Sequence, residues 1–190
     1  MSGLNCCSFT IGVIFCILTQ FIYVFSSNDS TALGAEIING TPQNDNLTGT
    51  PNNDRMNGSG GNDTMIGLAG NDQMDGGNGA DNIIASEGDD FVAGGGQDDS
   101  LLGEDGDDEI EGNRGDDKLL GGSGNDILYG GAGNDIISDE AGNDFLIGGP
   151  GNDTFFGGPG KDYFNCGLGT DEIIDFDQVE GDGMSYNCER

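Results

Sequence analysis

Carboxylates recur every nine residues along most of this chain. Asp45, Asp54, Asp63, Asp72, Asp81, Asp90, Asp99, Asp108, Asp117, Asp126, Asp135, Asp144, Asp153, Asp162 and Asp171 form one column, with Glu36 at its head. Counted in nonads from Gly34, sixteen copies run to Asp177 without an insertion, and the acid is always third. The available donors are therefore hard oxygens. The chain has no His, and only Cys166 and Cys188 supply thiols after the first 33 residues. Without His there is no Ser-His-Asp triad, no Cys-His pair and no zinc-protease helix. Carboxylate pairs occur everywhere, so proximity alone nominates no glycosidase acid and base. The expectation is a non-enzymatic protein whose acids hold cations.

The elements that must position these acids follow from the other columns. Two places after each acid stands an apolar residue: Ile38, Leu47, Met56, Met65, Met74, Ile83, Val92, Leu101, Ile110, Leu119, Leu128, Ile137, Leu146, Phe155, Phe164 and Ile173. Glycine fills the seventh position in twelve nonads, from Gly40 to Gly157. Glycine permits positive φ, so the seventh to first positions read as a tight turn. The fourth to sixth positions read as a strand whose central residue points inward. A strand this short needs stacked neighbours, which is the solenoid solution. Two nonads make one coil, and eight coils at about 4.8 Å each give a rod of about 38 Å. The core is then two facing stacks, one starting Ile38, Met56, Met74 and the other Leu47, Met65, Ile83.

Bulk composition alone suggests something else. The 35 acidic and 5 basic residues leave a net charge of −30, and 38 of the 190 residues are glycine. Such chains are commonly disordered, because they bury too little apolar surface to offset chain entropy. Columns held in phase over sixteen nonads argue against that. The charge also excludes nucleic acid as a partner, since a phosphate backbone would be repelled. Stacked coils bring each Asp near the one 18 residues on, and rows of like charge push a coil apart. Cations must lie between the turns. Hard, flexible oxygen sites select Ca²⁺ over zinc or copper, and over Mg²⁺, which wants strict octahedral geometry.

The best copies are "GGSGNDILY" from Gly121, "GGAGNDIIS" from Gly130, "GGPGNDTFF" from Gly148 and "GGPGKDYFN" from Gly157. This pattern resembles the hemolysin-type, or RTX, calcium-binding nonapeptide repeat over residues 34–177. The resemblance implies an all-β chain, a parallel β-roll or right-handed β-solenoid of about eight two-nonad coils with Ca²⁺ between turns. It also implies the ligands: the Asp column, and carbonyls of the glycine turns, here Gly112, Gly121, Gly122, Gly124, Gly130, Gly131, Gly133, Gly148, Gly149, Gly151, Gly157, Gly158 and Gly160. With a site between every second nonad, about fourteen ions would carry about +28 and nearly neutralise the chain. Folding and metal binding are then coupled. Departures from the pattern should weaken sites: Glu36 for Asp, Gln43, Asn52 and Gln97 at the first position, and Ala85, Asp139 and Cys166 at the seventh. The tightest sites are expected between Gly106 and Asp162.

Residues 1–33 differ. Phe9 to Phe25 is 17 mostly apolar residues without a charge, about 25 Å as a helix. It reads as an export leader cleaved near Ser26 to Gly34, or as a retained membrane anchor, since no Lys or Arg precedes Arg55. Either places the rest outside the cytoplasm. Cys166 and Cys188 are an even pair that predicts a disulfide in an oxidising compartment, with two free thiols as the alternative. Residues 178–190 lack the turn and read as a cap on the open end. At the sixth position of the even nonads, Ile66, Ile84, Leu102, Leu120, Phe156 and Ile174 point outward, a candidate face for an envelope or matrix partner or for a second copy. Six Asn-x-Ser/Thr sequons also occur, a signal that the repeat itself partly generates. An outward Thr row, which an ice-binding solenoid needs, is absent.

Overall fold

Nine residues are enough for one short strand and one tight turn, and the fold repeats that unit. The computed structural model describes residues 35–185, 187 and 188, with Val13–Ile14 and Phe25–Ser26. The chain divides into two compact units, Met1–Leu33 and Gly34–Arg190. In the first, Val13–Ile14 pairs antiparallel with Phe25–Ser26. The rest of the stretch expected to be a leader or anchor lies outside the described residues. No helix among the described residues is long and apolar enough to cross a membrane.

The second unit is all strand. Odd and even nonads alternate between two parallel sheets, of nine and eight strands. Every strand-to-strand pairing within the repeat is offset by 18 residues, as in Ile110↔Leu128 on one sheet and Leu101↔Leu119 on the other. That offset is two nonads, so each coil stacks on the one before. The two predicted core columns are the inner faces of these sheets. Met65, Met74, Ile83, Val92, Leu101, Ile110, Leu128, Ile137, Leu146, Phe155 and Phe164 are fully buried. Inward and outward positions alternate within each strand, as the pleat requires.

Two features differ from the sequence reading. Many strands span six residues, for example Leu101 within Ser100–Asp105, because the strand continues through the seventh-position glycine before the chain turns. Ladder formation also outlasts the sequence period. Gly183–Met184 pairs with Tyr163 and Phe164 at an offset of 20. Asp182 takes the place of the column acid, accepting from the Asp162 N–H at 3.0 Å. "DGM" from Asp182 is thus one more Asp-x-apolar unit, hidden by a two-residue insertion. Phe176 and Met184 pack against the last core rings, with Phe164 and Phe176 centroids 6.1 Å apart. Cys166 and Cys188 form a disulfide, with Cα atoms 5.2 Å apart.

Candidate metal centre

Each column Asp stands where the chain leaves the turn and enters a strand. Its two carboxylate oxygens have different partners. One oxygen accepts the backbone N–H of the Asp 18 residues earlier: Asp99 N–H donates to Asp117 Oδ1 at 2.8 Å and Asp108 N–H to Asp126 Oδ1 at 2.7 Å. This tie repeats from Asp54 to Asp171 and locks adjacent coils together. Among the described residues the other oxygen, Oδ2, is buried without a hydrogen-bond partner in thirteen column members, Asp63 through Asp171, and also in Asp139. Asp63 to Asp162 are each at most 3 % exposed. Unpartnered buried carboxylate oxygens are costly. A row of them is a fixed set of hard-oxygen donors, which fits calcium.

Two column members behave otherwise. Asp45 Oδ2 accepts from Thr41 N–H at 2.5 Å and Thr41 Oγ1 at 2.9 Å. Asp54 Oδ2 accepts from Thr50 N–H at 2.6 Å and Thr50 Oγ1 at 3.0 Å. In these first turns the protein itself supplies donors where later turns present a bare oxygen. Glu36 donates its backbone N–H to Asp54 Oδ1, and its carbonyl accepts the Arg55 N–H at 2.8 Å.

The glycines divide into two kinds of position. Positive φ falls at the eighth and first positions, as at Gly122, Gly131, Gly149 and Gly158, and at Gly124, Gly133, Gly151 and Gly160. The seventh-position glycines, including Gly112, Gly121, Gly130, Gly148 and Gly157, carry no positive φ. Their requirement is clearance. A Cβ on Gly112 would strike Gly130 O and Asp117 Oδ2. The same two kinds of atom, a column Oδ2 and a carbonyl 18 residues on, converge at Gly58, Gly76 and Gly103. The seventh position is thus open because a carboxylate and a carbonyl point into its space. Among the departures, Gln97 adopts φ +81 like the glycines it replaces, whereas Gln43 and Asn52 are not among the positive-φ residues.

A second column escaped the sequence reading. Asn or Asp fills the second position in twelve nonads, as in Asn62, Asn71, Asp107 and Asn125. On the exposed outer side of the turns, Oδ1 of one accepts the N–H of the residue 18 later: Asn125 N–H to Asp107 at 2.7 Å, Asn134 N–H to Asp116 at 2.7 Å. The inner ties run in the opposite direction. The signal was present in the repeated "ND" and "DD" pairs.

Burial dominates the electrostatics. It pushes Asp63, Asp72, Asp90, Asp117, Asp153 and Asp162 up to about 6. Asp99, Asp108 and Asp144 reach about 7. In all of these the backbone N–H bond works in the opposite direction, and neighbouring carboxylates push further up. Asp139 is driven to about 8, by burial first and then by Asp144 and Asp126. A divalent ion beside these oxygens favours the charged form and lowers each value.

The family model described as RTX calcium-binding nonapeptide repeat (4 copies) matches residues 31–65, 39–74, 48–83, 66–101, 75–110, 102–137 and 139–173. No curated protein matches the chain. With the family's repeats covering most of the sequence, two parallel sheets whose neighbouring strands lie two nonads apart, and unsatisfied aspartate oxygens lining the turns, this chain belongs to the RTX calcium-binding nonapeptide repeat family.

Proposed function

We propose that this calcium-binding repeat protein acts outside the cytoplasm and folds on many Ca²⁺ ions, without catalysing a reaction. One observation carries the reading: among the described residues, fourteen buried aspartate oxygens have no hydrogen-bond partner. A chain of net charge −30 cannot hold such rows of carboxylates together unaided. Column Asp oxygens and the carbonyls of the glycine turns are the proposed ligands, at roughly ten or more sites. The apolar stretch within residues 1–33 is the proposed export leader or anchor, and the Cys166–Cys188 pair suits an oxidising compartment. The test is far-UV circular dichroism of the full chain titrated with calcium, with magnesium as control. A compact β signal that rises with calcium and not with magnesium is expected. The same β signal in excess chelator at about pH 8, where the carboxylates are charged, would overturn the proposal.

A second reading makes calcium the means and not the end: a rigidified rod of a cell envelope or matrix. The outward residues Ile66, Ile84, Leu102 and Leu120 support it, because they stack in register on one sheet face. Changing Leu102 and Leu120 to Ser and measuring oligomer size in calcium separates the two. A smaller assembly favours the rod, and an unchanged size removes it.

A further inference from the structure

The seventh position is glycine in twelve nonads and aspartate at position 139. By sequence alone Asp139 is a defect of the turn. The geometry points to the opposite. At Gly103, the atoms entering the space of a missing Cβ are Asp108 Oδ2 and the Gly121 carbonyl. One coil further on, at Gly121, they are Asp126 Oδ2 and Asp139 Oδ2. A neutral carbonyl donor has been replaced by a carboxylate. Asp144, the column member of the same turn, closes the group. Ligand oxygens of Asp126, Asp139 and Asp144 lie within 4.8 Å of one another. The three side chains are 1 %, 5 % and 2 % exposed, and Oδ2 of each has no hydrogen-bond partner. Asp139 is held in place through its other oxygen, which accepts from Gly122 N–H at 3.1 Å and Glu140 N–H at 2.7 Å.

We propose that Asp139 adds a third carboxylate to the repeat site between Asp126 and Asp144, and that this three-carboxylate calcium site fills before the others. The inference rests on the calcium reading above. Affinity in oxygen sites rises with the number of charged ligands and with their rigidity, and this group adds one charged ligand whose other oxygen is tied to two backbone N–H groups. In a solenoid each coil contacts only its neighbours, so a coil ordered first is the template on which adjacent coils stack. Asp175 provides the contrast. It also occupies a seventh position, but its two oxygens accept from Gly157 N–H at 2.9 Å and Gly158 N–H at 3.0 Å. Asp175 therefore has no bare oxygen to offer.

Equilibrium dialysis of the full chain against radioactive calcium tests this. The wild-type chain is expected to bind one equivalent at a free calcium concentration about tenfold below that needed for the remainder. Asp139→Asn keeps the size and the backbone tie, and Asp139→Gly restores the repeat consensus; both should lose the early equivalent while later binding keeps its midpoint. Asp175→Asn should retain it. An early equivalent surviving in Asp139→Asn or Asp139→Gly overturns the proposal. So does its absence from wild type when the later ions bind normally. Failure of every form to bind calcium would remove the underlying calcium reading, and this site with it.

Discussion

An aspartate in this coil is two acceptors with separate tasks. One oxygen replaces an inter-coil backbone partner, as Asp117 does for Asp99 N–H. The other remains bare and buried. The asymmetry sets the direction of the pH response. In chelator, Asp99, Asp108 and Asp144 titrate near 7 in the coil, above the 3.8 of an unperturbed carboxyl. A raised folded value means the coil binds protons that the unfolded chain releases. That contribution to stability is complete below about pH 4 and is lost as pH rises through 6 to 7. The ion-free chain should therefore gain β signal on acidification from pH 8 to pH 5, measured by circular dichroism in chelator. Calcium binding has the opposite dependence, because protons compete for the same oxygens, so the calcium midpoint should move to higher concentration over the same range. An ion-free β signal independent of pH would contradict the burial of the carboxylates. The acid column was legible in the sequence because it never leaves register. Its division of labour was not, since which oxygen meets an N–H depends on the stacked coil.

At the scale of the turn, glycine serves two purposes that composition cannot separate. Gly133 has φ +145, and a Cβ there would collide with the Gly115 carbonyl of the preceding coil. Gly133→Ala should cost more than about 1 kcal/mol in calcium, read as a lowered urea midpoint, since strain and overlap act together. Leu68 makes the converse case. It adopts φ +90 at the eighth position, where seven of the twelve later nonads have glycine, and its side chain is exposed. Leu68→Gly should raise the midpoint by about 1 kcal/mol, because the left-handed conformation costs a branched side chain about that much. A fall would show that the Leu68 side chain contributes packing that outweighs the strain. The sequence reading assigned positive φ to the whole run from the seventh to the first position. The structure places it at the eighth and first, and leaves the seventh for clearance. Spacing reveals that a glycine is required; only the adjacent coil reveals what it must avoid. The outer Asn and Asp ladder was equally hidden, although its column was present, because its partner is also one coil away.

A solenoid of this kind has nearest-neighbour stability, so its weakest points are the ends. At the C-terminal end the chain adds one irregular rung. Asp182 continues the inner acid ties, Met184 continues the core stack beyond Phe164, and Cys188 is bonded to Cys166. Sequence periodicity stops at Asp177 because a two-residue insertion breaks the count, while the physical requirement for a covered core persists. The disulfide closes a short loop, worth about 3 kcal/mol at most through loss of unfolded-chain entropy. Because coils communicate only with their neighbours, that stabilisation should stay local. Cys188→Ser in calcium should speed amide exchange at Tyr163, Phe164 and Ser185, whose strand and cap lie on the bonded rung. Amides of Leu101 and Ile110, several coils away, should keep their protection. Equal acceleration along the whole roll would mean that the coils unfold as one cooperative unit, and the end rung would then be holding every calcium-lined turn behind it.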